Sequence, residues 1–200
     1  MGLTAANNDS LVYQMGVEVA RQCKALGIHI NFAPVADINN NPANPVINDR
    51  SFSDDKYTVT RLAALYMKGM QDNGVLACLK HFPGHGDTKT DSHLDLPKIN
   101  HSWARLDSVE LYPFKQLINK GAASIMVAHM EVPAFDSTPH LPTSLSRKVI
   151  NDYMIGKTAS GAYRARIYGV RYVVSFTVLA ASLPMIAFVY NNWGFDTLFW

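Results

Sequence analysis

A parallel α/β architecture is predicted for residues 8 to 153. Helical and strand-like periodicities alternate there, a glycine closes each helix, and the long Pro/Gly-rich segments all follow strands. Leu11, Val12, Met15, Val19, Cys23 and Leu26 recur at helical spacing, and Gly27 supplies the left-handed stop. A strand, Ile28 to Val35, follows. Asp54 and Asp55 favour the start of a second helix, with Val59, Leu62, Ala63, Tyr66 and Met70 on one face and Gly74 at its end. Val75 to Leu79 is the next strand. A third helix spans about Asp107 to Lys120 and ends at Gly121; Ala122 to Ala128 then reads as a buried strand, and Ser144 as the cap of a fourth helix.

The three long segments are Ala36 to Ser53, His81 to Trp103 and His129 to Thr143, whereas the returns from helix to strand are short. A (β/α) barrel builds its functional loops in that position. The sequence encodes three or four of the eight units, so the expectation is a partial (β/α) TIM-barrel-like parallel sheet, truncated at both ends and followed by an apolar helix.

Composition narrows the function. With 48% hydrophobic and 17% charged residues the chain can bury a core, and a net charge of +2 with scattered basic residues argues against nucleic-acid binding. Cys23 and Cys78 fall in a helix and a strand, which predicts two buried thiols and no disulfide framework. Met1 to Ser10 lacks the basic and apolar regions of a secretory signal, and Ala6 breaks the myristoylation pattern.

The richest stretch is Lys80-His81-Phe82-Pro83-Gly84-His85-Gly86-Asp87-Thr88-Lys89-Thr90-Asp91-Ser92-His93. Three His, two Asp and two Lys within 14 residues, broken by Pro83, Gly84 and Gly86, make a shaped polar loop. A metal site on His81, His85 and His93 is disfavoured, because Pro83 and Gly84 prevent two imidazoles from sharing a helical face. A phosphate loop is disfavoured too, since Gly84 to Thr88 lacks the lysine and the spacing. The bland alternative is a solvated polar loop.

This run closely resembles the signature of family-three glycoside hydrolases, in the branch of bacterial β-N-acetylhexosaminidases. Asn31-Phe32-Ala33-Pro34-Val35-Ala36-Asp37, Asp49-Arg50-Ser51-Phe52, Ala128-His129-Met130 and Pro142-Thr143-Ser144-Leu145-Ser146 extend the resemblance to about residue 150. It implies that Arg50, Lys80 and His81 hold the hydroxyls of a terminal sugar, roles suited to fixed cationic and imidazole donors. It also implies that His93 is the acid/base, with Asp91 accepting from one ring nitrogen while the other protonates the leaving oxygen. Asp37 and His129 follow strands and either line the pocket or serve caps and turns. His85 and Asp87 are expected to hold the loop.

The same resemblance implies a retaining mechanism that needs no cofactor and uses a nucleophilic aspartate at about residues 160 to 180. The only carboxylate after Asp152 is Asp196, so the nucleophile is expected to be missing. Composition changes after Met154: residues 155–171 read as a linker with Arg164, Arg166 and Arg171, and Tyr172 to Tyr190 gives 19 uncharged residues before the 191–200 tail. That length fits a transmembrane helix, its basic flank facing the cytoplasm, although a buried barrel helix is the alternative. The implied substrate is a peptidoglycan- or chitin-type glycan with terminal N-acetylglucosamine. The competing expectation is a non-catalytic, membrane-anchored fragment with weak sugar binding. The family type implies a bacterial cytoplasm or periplasm, and insertion of residues 172–190 would imply membrane association.

Overall fold

The computed structural model describes residues 8–90, 95–150, 188 and 192. The chain divides into two units, Met1–Ile150 and Asn151–Trp200, and every element named below belongs to the first. Apart from Phe188, the apolar stretch Tyr172 to Tyr190 lies outside the described residues. Among the described residues no helix is long and apolar enough to cross a membrane.

The elements run α1 (Asp9–Ala25), β1 (Ile30–Asn31), α2 (Lys56–Asp72), β2 (Leu76–Phe82), α3 (Trp103–Ser108), α4 (Leu111–Asn119) and β3 (Ser124–Val127). The strands are parallel in the order β1-β2-β3, so successive β/α units lie side by side and all strand C-termini meet at one edge. The α/β class and its parallel sheet are as the alternating pattern predicts.

Asn8 caps α1, accepting from the Ser10 amide, and Asp55 caps α2, accepting from the Thr58 amide at 2.8 Å. That backbone bond, foremost, holds the Asp55 carboxyl below the usual aspartate range. The helices close at Gly27, Gly74 and Gly121, all with positive φ. The buried face of α2 holds Val59, Leu62, Ala63, Tyr66 and Met70, as the spacing predicts.

The α1 face differs from the expectation. Val12, Gly16 and Ala20 are buried, whereas Leu11, Met15 and Leu26 are exposed. Backbone proximity explains this choice of small residues: a Cβ on Gly16 would sit 2.4 Å from the Tyr66 carbonyl oxygen, and one on Gly69 would sit 2.3 Å from that of Tyr13. Large side chains have no room between α1 and α2.

Three further differences have local causes. The expected third helix is two helices, broken at Val109 and Glu110. Pro113, in the first turn of α4, would clash with the carbonyl of Val109 if the helix continued through. The predicted strand Ile28 to Val35 contracts to Ile30–Asn31 plus a single parallel bridge from Val35 to Lys80, because Pro34 has no amide to offer the ladder. The cap of the segment beginning at Arg147 is Ser146, whose Oγ accepts from the Val149 amide at 3.2 Å; Ser144 instead bonds His129. Both cysteines are free thiols, Cys78 buried but Cys23 only half-buried.

The core lies between the sheet and α2 and α4. Ala77, Cys78, Leu79 and Phe82 of β2 are buried, and the Phe82 ring meets Phe114 edge-on at 5.5 Å and stacks on Phe135 at 6.4 Å. Phe82 therefore anchors β2 immediately beyond Lys80 and His81.

Candidate active site

β2 extends past its predicted end at Leu79, so Lys80 and His81 are held by the sheet rather than by a loop. The Lys80–His81 and Phe82–Pro83 peptide bonds are cis. The His81 ring is fixed by Asp37, which follows β1 and is completely buried. Asp37 Oδ2 lies 2.7 Å from His81 Nδ1, its carboxylate also accepts from the His81 amide at 3.2 Å, and its Oδ1 accepts from the His85 amide at 2.7 Å. Because a carboxylate only accepts, Nδ1 carries the proton in this contact, and the ring is held through that nitrogen. Asp37 thus orients the imidazole and closes the start of the loop in one step.

Arg50 ends a 3₁₀ turn, Asn48–Arg50, in the connection from β1 to α2. Its side chain is exposed, with Nη1 donating to the Val46 carbonyl at 3.1 Å. The adjoining Ser51 hydroxyl donates to the Asp37 carbonyl at 2.7 Å, which ties this turn to the same strand edge. Burial, and then the nearby Arg50 charge, hold the Lys80 ammonium below the usual lysine range. Asp37, Arg50, Lys80 and His81 therefore share one strand edge. His129 follows β3 at that edge but is exposed and bonded to Ser144, at 2.8 Å from Nδ1 to Oγ. Asp91 and His93 lie outside the described residues.

The loop beyond His81 is built on close backbone contacts. A Cβ at Gly86 would stand 1.7 Å from the Ile38 carbonyl oxygen, so only glycine fits there. Asn44 Nδ2 donates to the carbonyls of His85 and Gly86 at 2.8 and 3.0 Å, and Asn41 Nδ2 to that of Thr88 at 3.1 Å. His85 is buried with Nδ1 2.7 Å from the Thr88 hydroxyl, and desolvation pushes its imidazole below the ordinary histidine value. Asp87 Oδ2 meets His101 Nε2 at 2.6 Å, closing the chain across residues 88–100.

The family model described as the glycosyl hydrolase family 3 N terminal domain matches residues 1–158. The chain belongs to this family. It is 45% identical over 121 residues to Beta-hexosaminidase A of Pseudoalteromonas piscicida, a match covering 60% of this chain and 20% of that protein. The solved structure of a family 3 β-N-acetylglucosaminidase from Paenibacillus sp. matches with a TM-score of 0.76 and 45% identity, over 79% of this chain and 30% of the other. NagZ from Neisseria gonorrhoeae, in complex with N-trifluoroacetyl-D-glucosamine, matches with a TM-score of 0.64 and 36% identity, over 70% and 40%. The chain thus spans between a fifth and two fifths of the length of these relatives.

Sequence reasoning missed the asparagines. Asn39-Asn40-Asn41-Pro42-Ala43-Asn44 reads as turn-forming residues, yet Asn41 and Asn44 stitch this connection to the loop after β2. It also passed over His101 and Glu110. The sequence cue for Glu110 is its place just before Leu111-Tyr112-Pro113, where the proline-broken helix turns the side chain inward.

Proposed function

We propose that this family 3 domain supplies the sugar-holding and acid/base part of a β-N-acetylglucosaminidase-type glycosidase acting on glycans with terminal N-acetylglucosamine. The observation that carries the proposal is the grip of buried Asp37 on the His81 ring, next in β2 to Lys80, whose ammonium lies within the field of Arg50. Arg50, Lys80 and His81 bind ring hydroxyls, with Asp37 as the positioning residue. His93, paired with Asp91, protonates the leaving oxygen, and a carboxylate about 5 Å away attacks the anomeric carbon. The β-hexosaminidase names of the relatives and the N-trifluoroacetyl-D-glucosamine in NagZ support this substrate class.

One sequence observation favours a second reading, a sugar-binding chain without turnover: no carboxylate stands between Asp152 and Asp196. On that reading residues 1–154 bind and residues 155–171 link them to the apolar segment 172–190. The experiment is release of nitrophenol from a β-N-acetylglucosaminide by the 200-residue chain, beside the Asp91→Ala/His93→Ala double variant. Little or no turnover is expected from the chain alone, because loss of an attacking group costs several orders of magnitude, about 4 kcal/mol or more in the barrier. Robust turnover abolished in the double variant would instead assign the nucleophile to a carboxylate such as Asp152 or Asp196, since Asp37 is buried and occupied by His81 and His85.

A further inference from the structure

We propose that Asp87, His101 and Glu110 form a site for one divalent cation of the zinc type, at the neck of the loop spanning residues 88–100. One ligand atom from each side chain lies within 4.8 Å of the other two. An imidazole and two carboxylates are a donor set that zinc accepts while keeping a further position for water.

Such residues meet on many proteins without a metal, and the decisive feature here is Glu110. The residue is only 3% exposed, yet it is half satisfied. Its Oε1 accepts from Asn40 Nδ2 and from Arg105 Nη2, each at 3.1 Å, whereas Oε2 is buried with no hydrogen-bond partner among the described residues. The adjoining Asn40 likewise leaves its Oδ1 buried without a donor. Orphaned acceptors on two hydrogen-bonded side chains require a cation or a water. The third and fourth side chains of the cluster, Asp87 and His101, favour the cation, because they add a negative charge and an imidazole. Arg105 stays on Oε1 as the outer partner that orients Glu110, and Asp87 adds a second carboxylate toward the dication.

Ligands around a tetrahedral zinc stand about 3.4 Å apart, so the 2.6 Å contact between Asp87 and His101 opens, and the separations to Glu110, within 4.8 Å, adjust to the same spacing. Side-chain rotation covers that range. Asp87 and His101 are partly exposed and line a cavity of about 670 Å³ together with Lys98, Glu131 and His140, which gives an ion a path in. Coordination would replace one hydrogen bond between Asp87 and His101 with metal bonds from both residues, which flank the sequence stretch containing Asp91 and His93.

The test is a calorimetric titration of the chelator-treated 200-residue chain with Zn²⁺, with binding rather than turnover as the readout, so its outcome is independent of the glycosidase reading. One saturable equivalent is expected. His101→Ala, at a partly exposed position, should weaken it at least tenfold, as should Glu110→Gln, while Asp91→Ala/His93→Ala should change it less than twofold. Far-UV circular dichroism verifies folding, and His101→Ala decides alone if Glu110→Gln does not fold. The proposal is overturned if no saturable binding is seen, if binding survives His101→Ala, or if it is lost with Asp91 and His93.

Discussion

Two aspartate–histidine pairs of nearly equal length do different work in this molecule. Asp37 and His81 stand 2.7 Å apart, Asp87 and His101 2.6 Å, yet Asp37 is fully buried while the Asp87 side chain is 25% exposed. Asp37 also takes two backbone amides, those of His81 and His85, so it fixes a ring and a chain reversal together. Asp87, by contrast, meets the ring of His101 from 14 positions away, and both side chains are partly exposed. The difference teaches that the surroundings of the acid, rather than the length of the pair, separate a rigidly oriented imidazole from a tie that water can replace.

The sharpest way to break this comparison is Asp37→Ala. It leaves the His81 and His85 amides without their buried acceptor, at about 1–3 kcal/mol each, so chemical denaturation should show the largest loss of any variant considered. A cost no greater than that of His101→Ala would remove the distinction. Gly86→Ala comes next: its Cβ must displace the Ile38 backbone, an overpacking of about 1–3 kcal/mol or more, measurable as a lowered Tm. An unchanged Tm would mean that the loop can lift off β1's connection without penalty.

A pH series sharpens the same contrast. The folded His85 value is depressed by burial, and its buried Nε2 has no partner among the described residues to accept an N–H there. The unfolded chain therefore binds the proton more readily, and stability present above about pH 6.5 should fall as the pH drops through the folded value. His85→Gln should flatten that part of the profile, and an identical profile would exclude His85 as its source. The smallest effect is expected from metal-free His101→Ala, about 1 kcal/mol or less, because both partners are partly exposed.

Much of this arrangement was legible from residue patterns, for identifiable reasons. Val59, Leu62, Ala63, Tyr66 and Met70 are large and recur at helical spacing, so the α2 face follows from hydrophobicity alone. The α1 face does not, because backbone approach at Gly16 and Gly69 selects small residues that a hydrophobic pattern passes over. Pro113 marks the helix break one turn downstream of where it occurs. Lys80 and His81 were singled out for their chemistry, but their placement in β2 depends on a ladder that runs past the apolar residues. The supporting roles of Asn41, Asn44 and Glu110 need partners 41 to 70 positions away in the chain, which local composition does not encode.

The most direct measurement of the central claim is a titration of the 200-residue chain with N-acetylglucosamine, followed by NMR, beside Asp37→Asn and His129→Ala. Asp37→Asn keeps the shape of the side chain but can no longer hold the His81 ring as a charged acceptor, so saturable binding should weaken at least tenfold with the fold retained. His129→Ala, exposed and bonded elsewhere, should bind within about twofold of the parent. Equal affinity in the parent and Asp37→Asn, or no binding by the folded parent, would contradict the assignment of the Asp37-held strand edge as the sugar site.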